Sequence, residues 1–255
     1  MTEPLSPALV RQLRAIVGAD HVITDPGRLF VYEDDGLSAY RVRPRAVVLP
    51  DTTDEVAEVV RTLHAAEIEI VPRGAGTGLS GGALPTPDGV IVGTARMNRI
   101  LEIDPRDRIA RVQPGAGDAR LTDATRPHGL YYAPDPSSQS TCTLGGNVAE
   151  NSGGPHCLKY GVTTRYVTGL TVVLAGGEVV ELGGAGREAA EGLDLVGLFV
   201  GSEGCFGIAC RGGRARARGD LRHDGGRGSG RDLHHRVGPH ARSCRDRRQG
   251  HHPGG

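Results

Sequence analysis

The chain has no run of about 18 consecutive apolar residues, so no membrane-spanning helix is expected. Its N-terminus lacks a basic patch followed by an apolar core, so a secretory signal is not expected either. Of the five cysteines, Cys142, Cys157, Cys205, Cys210 and Cys244, none forms a Cys-x-x-Cys pair, and the number is odd. Free thiols in a reducing cytoplasm are therefore expected. Lysine is almost missing as well: Lys159 is the only one, and the other basic residues are arginines.

A formal net charge of zero hides a strong asymmetry. Residues 211–255 hold twelve Arg against four Asp, a local charge of +8 that the preceding 210 residues cancel. The same 45 residues contain eleven Gly, and their only large aliphatics are Leu221, Leu233 and Val237. Such a segment cannot build a core. The chain is therefore expected to consist of a folded region, residues 1–209, and an Arg/Gly-rich tail, residues 210–255.

Within the folded region the apolar pattern alternates between helix and strand. Ser6 caps and Pro7 opens a helix with Leu9, Leu13, Ile16 and Val17 on one face. Ala46 to Leu49 reads as a buried strand. Thr52 with Glu55 reads as a capping box before a helix carrying Val56, Val59, Val60 and Leu63. Ile68 to Val71 is the next strand, completing a β-α-β unit. Val90–Val92 and Arg108–Val112 are further strands, Asp118–His128 a helix, and Leu170–Leu174 with Glu178–Leu182 a hairpin. Asp194–Val200 is a short helical or extended piece.

Where the β-α-β unit ends, the chain reads Pro72-Arg-Gly-Ala-Gly-Thr-Gly-Leu-Ser-Gly-Gly-Ala-Leu-Pro85. It places five glycines between Gly74 and Gly82. Glycine lets backbone N–H groups come close to a ligand, and successive N–H groups form a concave cradle for phosphate oxygens. A flexible loop with no ligand is the competing reading. Gly76 to Gly81 matches G-x-G-x-x-G, but Pro85 and Pro87 forbid the helix that a Rossmann loop requires. No Gly-Lys-Ser/Thr supports a Walker loop.

Two more glycine-polar clusters follow, Pro134 to Gly161 and Gly201 to Ile208. Three clusters suit a long ligand touched at several points. Together they resemble the FAD-binding domain of the vanillyl-alcohol oxidase and p-cresol methylhydroxylase flavoprotein family. Within it they are most similar to the glycolate oxidase FAD-binding subunit and to D-lactate and D-2-hydroxyglutarate dehydrogenases. The resemblance covers roughly residues 5–209.

The resemblance implies an α+β fold in which two subdomains, about 1–110 and 111–209, grip FAD between them. It implies that Arg73, Gly74, Ala75, Gly76, Thr77, Gly78 and Ser80 surround the pyrophosphate. Pro134, Asp135, Ser138, Thr143, Gly145, Gly146 and Asn147 would line the flavin side, with backbone contacts from Glu150, Asn151 and Gly153. Gly161, Glu203, Gly204 and Ile208 would close on the cofactor. No His lies between His64 and His128, so FAD is expected to be non-covalent.

The activity implied is oxidation of a 2-hydroxy acid such as glycolate or D-lactate by hydride transfer to FAD. Other oxidase subunits are possible partners; no nucleic acid and no resident metal are implied. In relatives the substrate groups belong to a later domain that no segment here resembles, so catalytic residues are not assigned. His156, Lys159 and Tyr160 either face the flavin or serve loop packing. Tyr131 and Tyr132 are read as packing residues, and Asp34, Asp35, Asp104 and Asp107 as solvated turns. A non-catalytic flavin-binding module, or a subunit of a larger complex, is the alternative function.

The tail is open to two readings. It is an Arg/Gly segment able to contact phosphates, although the aromatics that commonly interleave with such runs are missing. Alternatively it is out of frame. Under one possible coding of residues 210–216, dropping the first base yields Ala-Glu-Ala-Val-Val-Arg, which looks like the strand that follows Gly-Ile in the family.

Overall fold

The computed structural model describes residues 4–184 and 192–219. Of the expected tail, residues 210–219 are described and are largely strand, whereas the rest of it lies outside the described residues.

Helix α1 (Pro7–Val17) starts where expected: the Ser6 hydroxyl accepts from the Leu9 N–H at 3.2 Å, and Leu9, Leu13 and Val17 are buried. A short strand β1 (Val22–Ile23) and a single helical turn α2 (Pro26–Leu29) follow, then strand β2 (Ala46–Val48). Helix α3 (Thr53–Ala65) begins at Thr52, whose hydroxyl accepts from the Glu55 N–H at 3.1 Å. The reciprocal half of the capping box is displaced by one residue, because the Glu55 carboxylate accepts from the Asp51 N–H at 2.8 Å.

The exit of α3 explains why strand β3 runs from Ile70 to Arg73 and not from Ile68. The Glu67 N–H donates to the His64 carbonyl and the Ile68 N–H to the Leu63 carbonyl, with Glu67 at φ 53°. This is a Schellman cap with a glutamate in the left-handed position. Ile68 remains part of it, packed against the core that holds Leu63.

Strand β4 (Val90–Gly93) inserts between β2 and β3 and is parallel to both. With β1 antiparallel at one edge, the first sheet has the order β1-β2-β4-β3. Its inner strands β2 and β4 are buried on both faces, as parallel strands usually are. Val48, Val90 and Val92 pack with α1 and α3, whereas Val47, Val71 and Ile91 pack with Leu29 and Ile23 on the opposite side.

Strands β5 (Ile100–Asp104) and β6 (Ile109–Val112) start a second sheet. Helix α4 (Asp118–Thr125), strand β7 (Leu130–Tyr131), helix α5 (Leu144–Glu150) and the turn α6 (Cys157–Tyr160) come next. The expected hairpin is present as β8 (Gly169–Val173) and β9 (Val179–Gly183), antiparallel. Helix α7 (Leu195–Phe199), strand β10 (Ile208–Arg216) and strand β11 (Arg218–Gly219) complete the described chain. The second sheet has the order β5-β6-β10-β8-β9, and β11 pairs with β7.

The compositional boundary after Ala209 falls inside β10, the central strand of the second sheet. The two sheets share one core, because the α1–α3 cluster also contains Val173 of β8 and Ile208 and Cys210 of β10. β5 is not among the strands expected from pattern. It is an edge strand with Leu101 exposed, so it shows no clean inside-outside alternation.

Candidate functional site

A cleft enclosing about 1220 Å³ of empty space, its open mouth included, lies where three glycine-bearing segments meet. Its lining comes from the loop that leaves β3, from Ser137 through α5 to Ser152, and from Glu203 to Ala209 at the start of β10.

The segments meet because glycine allows it. A β-carbon on Gly74 would stand 2.5 Å from the Thr143 hydroxyl, and one on Gly145 would stand 2.7 Å from the Pro114 ring. These glycines therefore serve close packing of the walls as much as approach to a ligand. The cradle itself is the stretch after Gly74. No backbone N–H from Ala75 to Leu79 donates to an acceptor among the described residues, which leaves these amides to a ligand or water. The amides of Gly145 and Gly146 are committed, to the Pro114 carbonyl at 2.7 Å and the Thr143 hydroxyl at 3.3 Å.

Arg73 braces this loop from below. Its side chain is buried, donating to the Ala83 carbonyl at 3.0 Å and the Asp34 carbonyl at 2.6 Å, and it lies over the Tyr32 ring. Burial lowers its pKa, against the opposing influence of the Asp35 and Asp34 carboxylates and Tyr32. An arginine stays charged regardless. Asp35 is buried, not solvated, because it faces this guanidinium, and Asp34 pairs with Arg41 at 3.0 Å.

On the mouth side the Ser80 hydroxyl donates to the Glu150 carboxylate at 2.9 Å, and the Glu203 carboxylate comes close to Gly82. Behind the wall Asp118 is fully buried. It accepts from Gln139 Nε2 at 2.9 Å and from Asn147 Nδ2 at 2.6 Å. Burial raises its pKa to about 6, against those two hydrogen bonds, and Asp135 adds to the rise. The neighbouring Cys142 thiol and Tyr132 hydroxyl are raised too, first by burial and then by Asp118.

Of the residues expected at the site, the cleft brings together Arg73, Gly74, Ala75, Gly76, Thr77 and Gly78 from the first loop. From the second and third segments it brings Ser138, Thr143, Gly145, Gly146, Asn147, Glu150, Glu203, Gly204 and Ile208. Ser80, Pro134, Asp135, Asn151, Gly153 and Gly161 do not line it. Asn151 caps α5 at φ 50° and accepts from the Thr164 N–H at 2.9 Å. Asp135 pairs with an exposed His156, whose ring lies near that of Tyr160, and Lys159 lies over the Tyr160 ring. Tyr131 and Tyr132 pack against Tyr160 and Tyr166.

Thr94, Pro114 and Phe199 line the cleft without having been singled out. The Pro114-Gly115 turn was the legible signal among them, since it ends a strand as the first glycine loop does. Among the described residues no group of three or more His, Cys, Asp or Glu could hold a metal ion. No helix among them is long and apolar enough to cross a membrane.

The description "FAD binding domain" matches residues 44–183. The chain is 47% identical over 201 residues to "Glycolate oxidase subunit GlcD" of Escherichia coli strain K12, covering 79% of this chain and 40% of that protein. It is 37% identical over 202 residues to a "D-2-hydroxyglutarate dehydrogenase" of Stutzerimonas stutzeri, covering 79% and 44% respectively. The crystal structure of p-cresol methylhydroxylase with substrate bound superposes with a TM-score of 0.68 at 24% identity, over 80% of this chain and 42% of that one. That last likeness is one of fold, and it supports the expected α+β, two-subdomain architecture. The chain thus spans about two fifths of the length of the relatives it matches.

Proposed function

Because this chain belongs to the FAD binding domain family, we propose that the cleft holds FAD non-covalently and serves the oxidation of a small 2-hydroxy acid such as glycolate or D-lactate. When bound, the flavin supplies the acceptor for the hydride that leaves the substrate carbon. The observation that carries this reading is the row of amides from Ala75 to Leu79 with no acceptor among the described residues, in a cleft that all three glycine-polar segments line.

The chain's own residues supply holding and exclusion. The Ala75–Leu79 amides face phosphate oxygens, which need donors and tolerate no intervening side chain. Arg73 keeps that loop in shape through its bonds to the Asp34 and Ala83 carbonyls. Asn147 lines the cleft, while Phe199 and Ile208 exclude water from the apolar side. No histidine is among the lining residues, in keeping with a non-covalent cofactor.

The cation for the substrate carboxylate and the base for its hydroxyl come from outside the described residues. Among those described, the cleft offers the committed Arg73 and the two carboxylates Glu150 and Glu203. That observation favours the second reading for this chain by itself, a flavin-holding module or one subunit of a larger oxidase. The word "subunit" in the name of the glycolate oxidase relative accords with it. Free thiols at Cys142, Cys157, Cys205 and Cys210 accord with the cytoplasm.

The test is a titration of the purified chain with FAD. We expect quenched flavin fluorescence and absorbance near roughly 450 nm that stays with the protein through a desalting column. Glycolate or D-lactate then bleaches the colour slowly or not at all unless further chain or subunits are added. A colourless, unquenched protein overturns the proposal.

A further inference from the structure

Asp118 does not line the cleft, yet it is joined to two residues that do, and its neighbour Gly117 to a third. Its Oδ2 accepts from Nδ2 of Asn147, a lining residue, and its backbone N–H donates to the carbonyl of Cys142, another, at 3.2 Å. Gly117, just before it, bridges to Thr143. Its Oδ1 accepts from Gln139, which sits between Ser138 and Cys142 in the same wall. The first turn of α4 is thus fastened to the wall by one fully buried carboxylate and the backbone around it.

An ionised carboxylate only accepts hydrogen bonds. Both amide groups must therefore turn their NH₂ ends toward Asp118, which dictates how Asn147 meets anything in the cleft. A protonated carboxyl carries a donor on one oxygen and no charge, so it can no longer hold both amides in that sense, and the bonds that remain are weaker.

We infer that Asp118 is a positioning residue for the cleft: its carboxylate keeps the Asn147 amide and the Gln139 segment in their ligand-binding arrangement, and gain of a proton there releases them and weakens binding. This rests on FAD being the ligand, as proposed above. The charged or titratable groups facing Asp118 are the Asp135 carboxylate and the Tyr132 and Cys142 side chains. The last two are pushed upward and stay neutral through the range in which Asp118 changes charge, at about 6. Asp135 in turn pairs with the exposed His156.

The experiment compares FAD binding to the wild-type chain and to Asp118→Asn at roughly pH 5.0 and 7.5, on either side of the Asp118 transition. Wild type is expected to lose about tenfold in affinity on acidification. Asp118→Asn, permanently neutral and of the same shape, is expected to bind weakly at both values. An unchanged wild-type affinity, or a variant that keeps the wild-type profile, overturns the inference.

A second measurement needs no ligand. The side-chain amide resonances of Asn147 and Gln139 in the free wild-type chain are expected to shift together across the same pH range. If they stay still, the coupling is overturned whether or not FAD binds. If they shift while FAD fails to bind at any pH, the cofactor proposal falls and the Asp118 coupling stands.

Discussion

The hydroxyl of Thr143 occupies the space that a β-carbon on Gly74 would need, 2.5 Å away, so the loop after β3 and the cap of α5 meet with no room for even a methyl group. The same hydroxyl accepts from the Gly146 N–H at 3.3 Å. Gly74→Ala must push Thr143 off its helix, and loss of such a cap costs about 0.5–2 kcal/mol. We expect a lowered unfolding midpoint and FAD affinity reduced at least about tenfold, measured by denaturation and by fluorescence titration. Normal affinity in the variant means that the contact does not shape the cleft.

Arg73 is expected to reveal itself through stability. Arg73→Met leaves the carbonyls of Asp34 and Ala83 without their donors and the buried Asp35 without its countercharge. Groups orphaned in this way cost about 1–3 kcal/mol each. Arg73→Lys keeps the charge but cannot reach both carbonyls with a fork, so it falls between. Urea denaturation of the two variants checks the order. A Met variant of wild-type stability with abolished FAD binding indicates a direct ligand contact instead.

For Asp118 the sign of the pH effect is fixed by the raised pKa. Its folded value of about 6 exceeds the ordinary unfolded value of about 3.9, so the folded chain binds the proton more tightly. The associated stabilisation is full below about pH 4 and is lost as pH rises through about 6. The wild-type stability, relative to Asp118→Asn, is therefore expected to fall by about 2–3 kcal/mol between pH 4 and 7. Urea denaturation of both proteins at the two values measures it. A difference that does not change with pH means that Asp118 is not a buried acid.

Glu67 ends α3 with φ at 53°, a conformation that glycine adopts without a β-carbon penalty. Glu67→Gly keeps both hydrogen bonds of the cap and is expected to raise stability by about 0.5–1 kcal/mol, the relief being partly offset by the freer unfolded chain. A thermal scan gives the answer, and a lowered midpoint contradicts it.

Local chemistry made much of this legible beforehand. Ser6 and Thr52 are caps because a short hydroxyl next to an amphipathic run has a backbone N–H to accept from, whatever lies farther off. The β8–β9 hairpin follows from two apolar runs around Ala-Gly-Gly. The order of glycine clusters points to one extended ligand, because close backbone approach is a demand that few other residues satisfy.

Tertiary structure alone decided the rest. That β4 lies between β2 and β3, and that β10 occupies the middle of a sheet whose first strand lies some hundred residues earlier, depends on pairings between distant segments. Arg73 reads as a phosphate-loop residue by its position beside the glycines, and only the fold shows that it also donates to the carbonyls of Asp34 and Ala83. Asp118 gave no signal at all, being an acid in the first turn of a helix, where acids are common. Its burial against Gln139 and Asn147 arises when α4 and α5 pack together. Sequence settles what each short segment can do by itself, since backbone conformation and capping are local. Which groups share a low-dielectric interior is settled by packing, and there a hydrogen bond or a lost hydration shell is worth most.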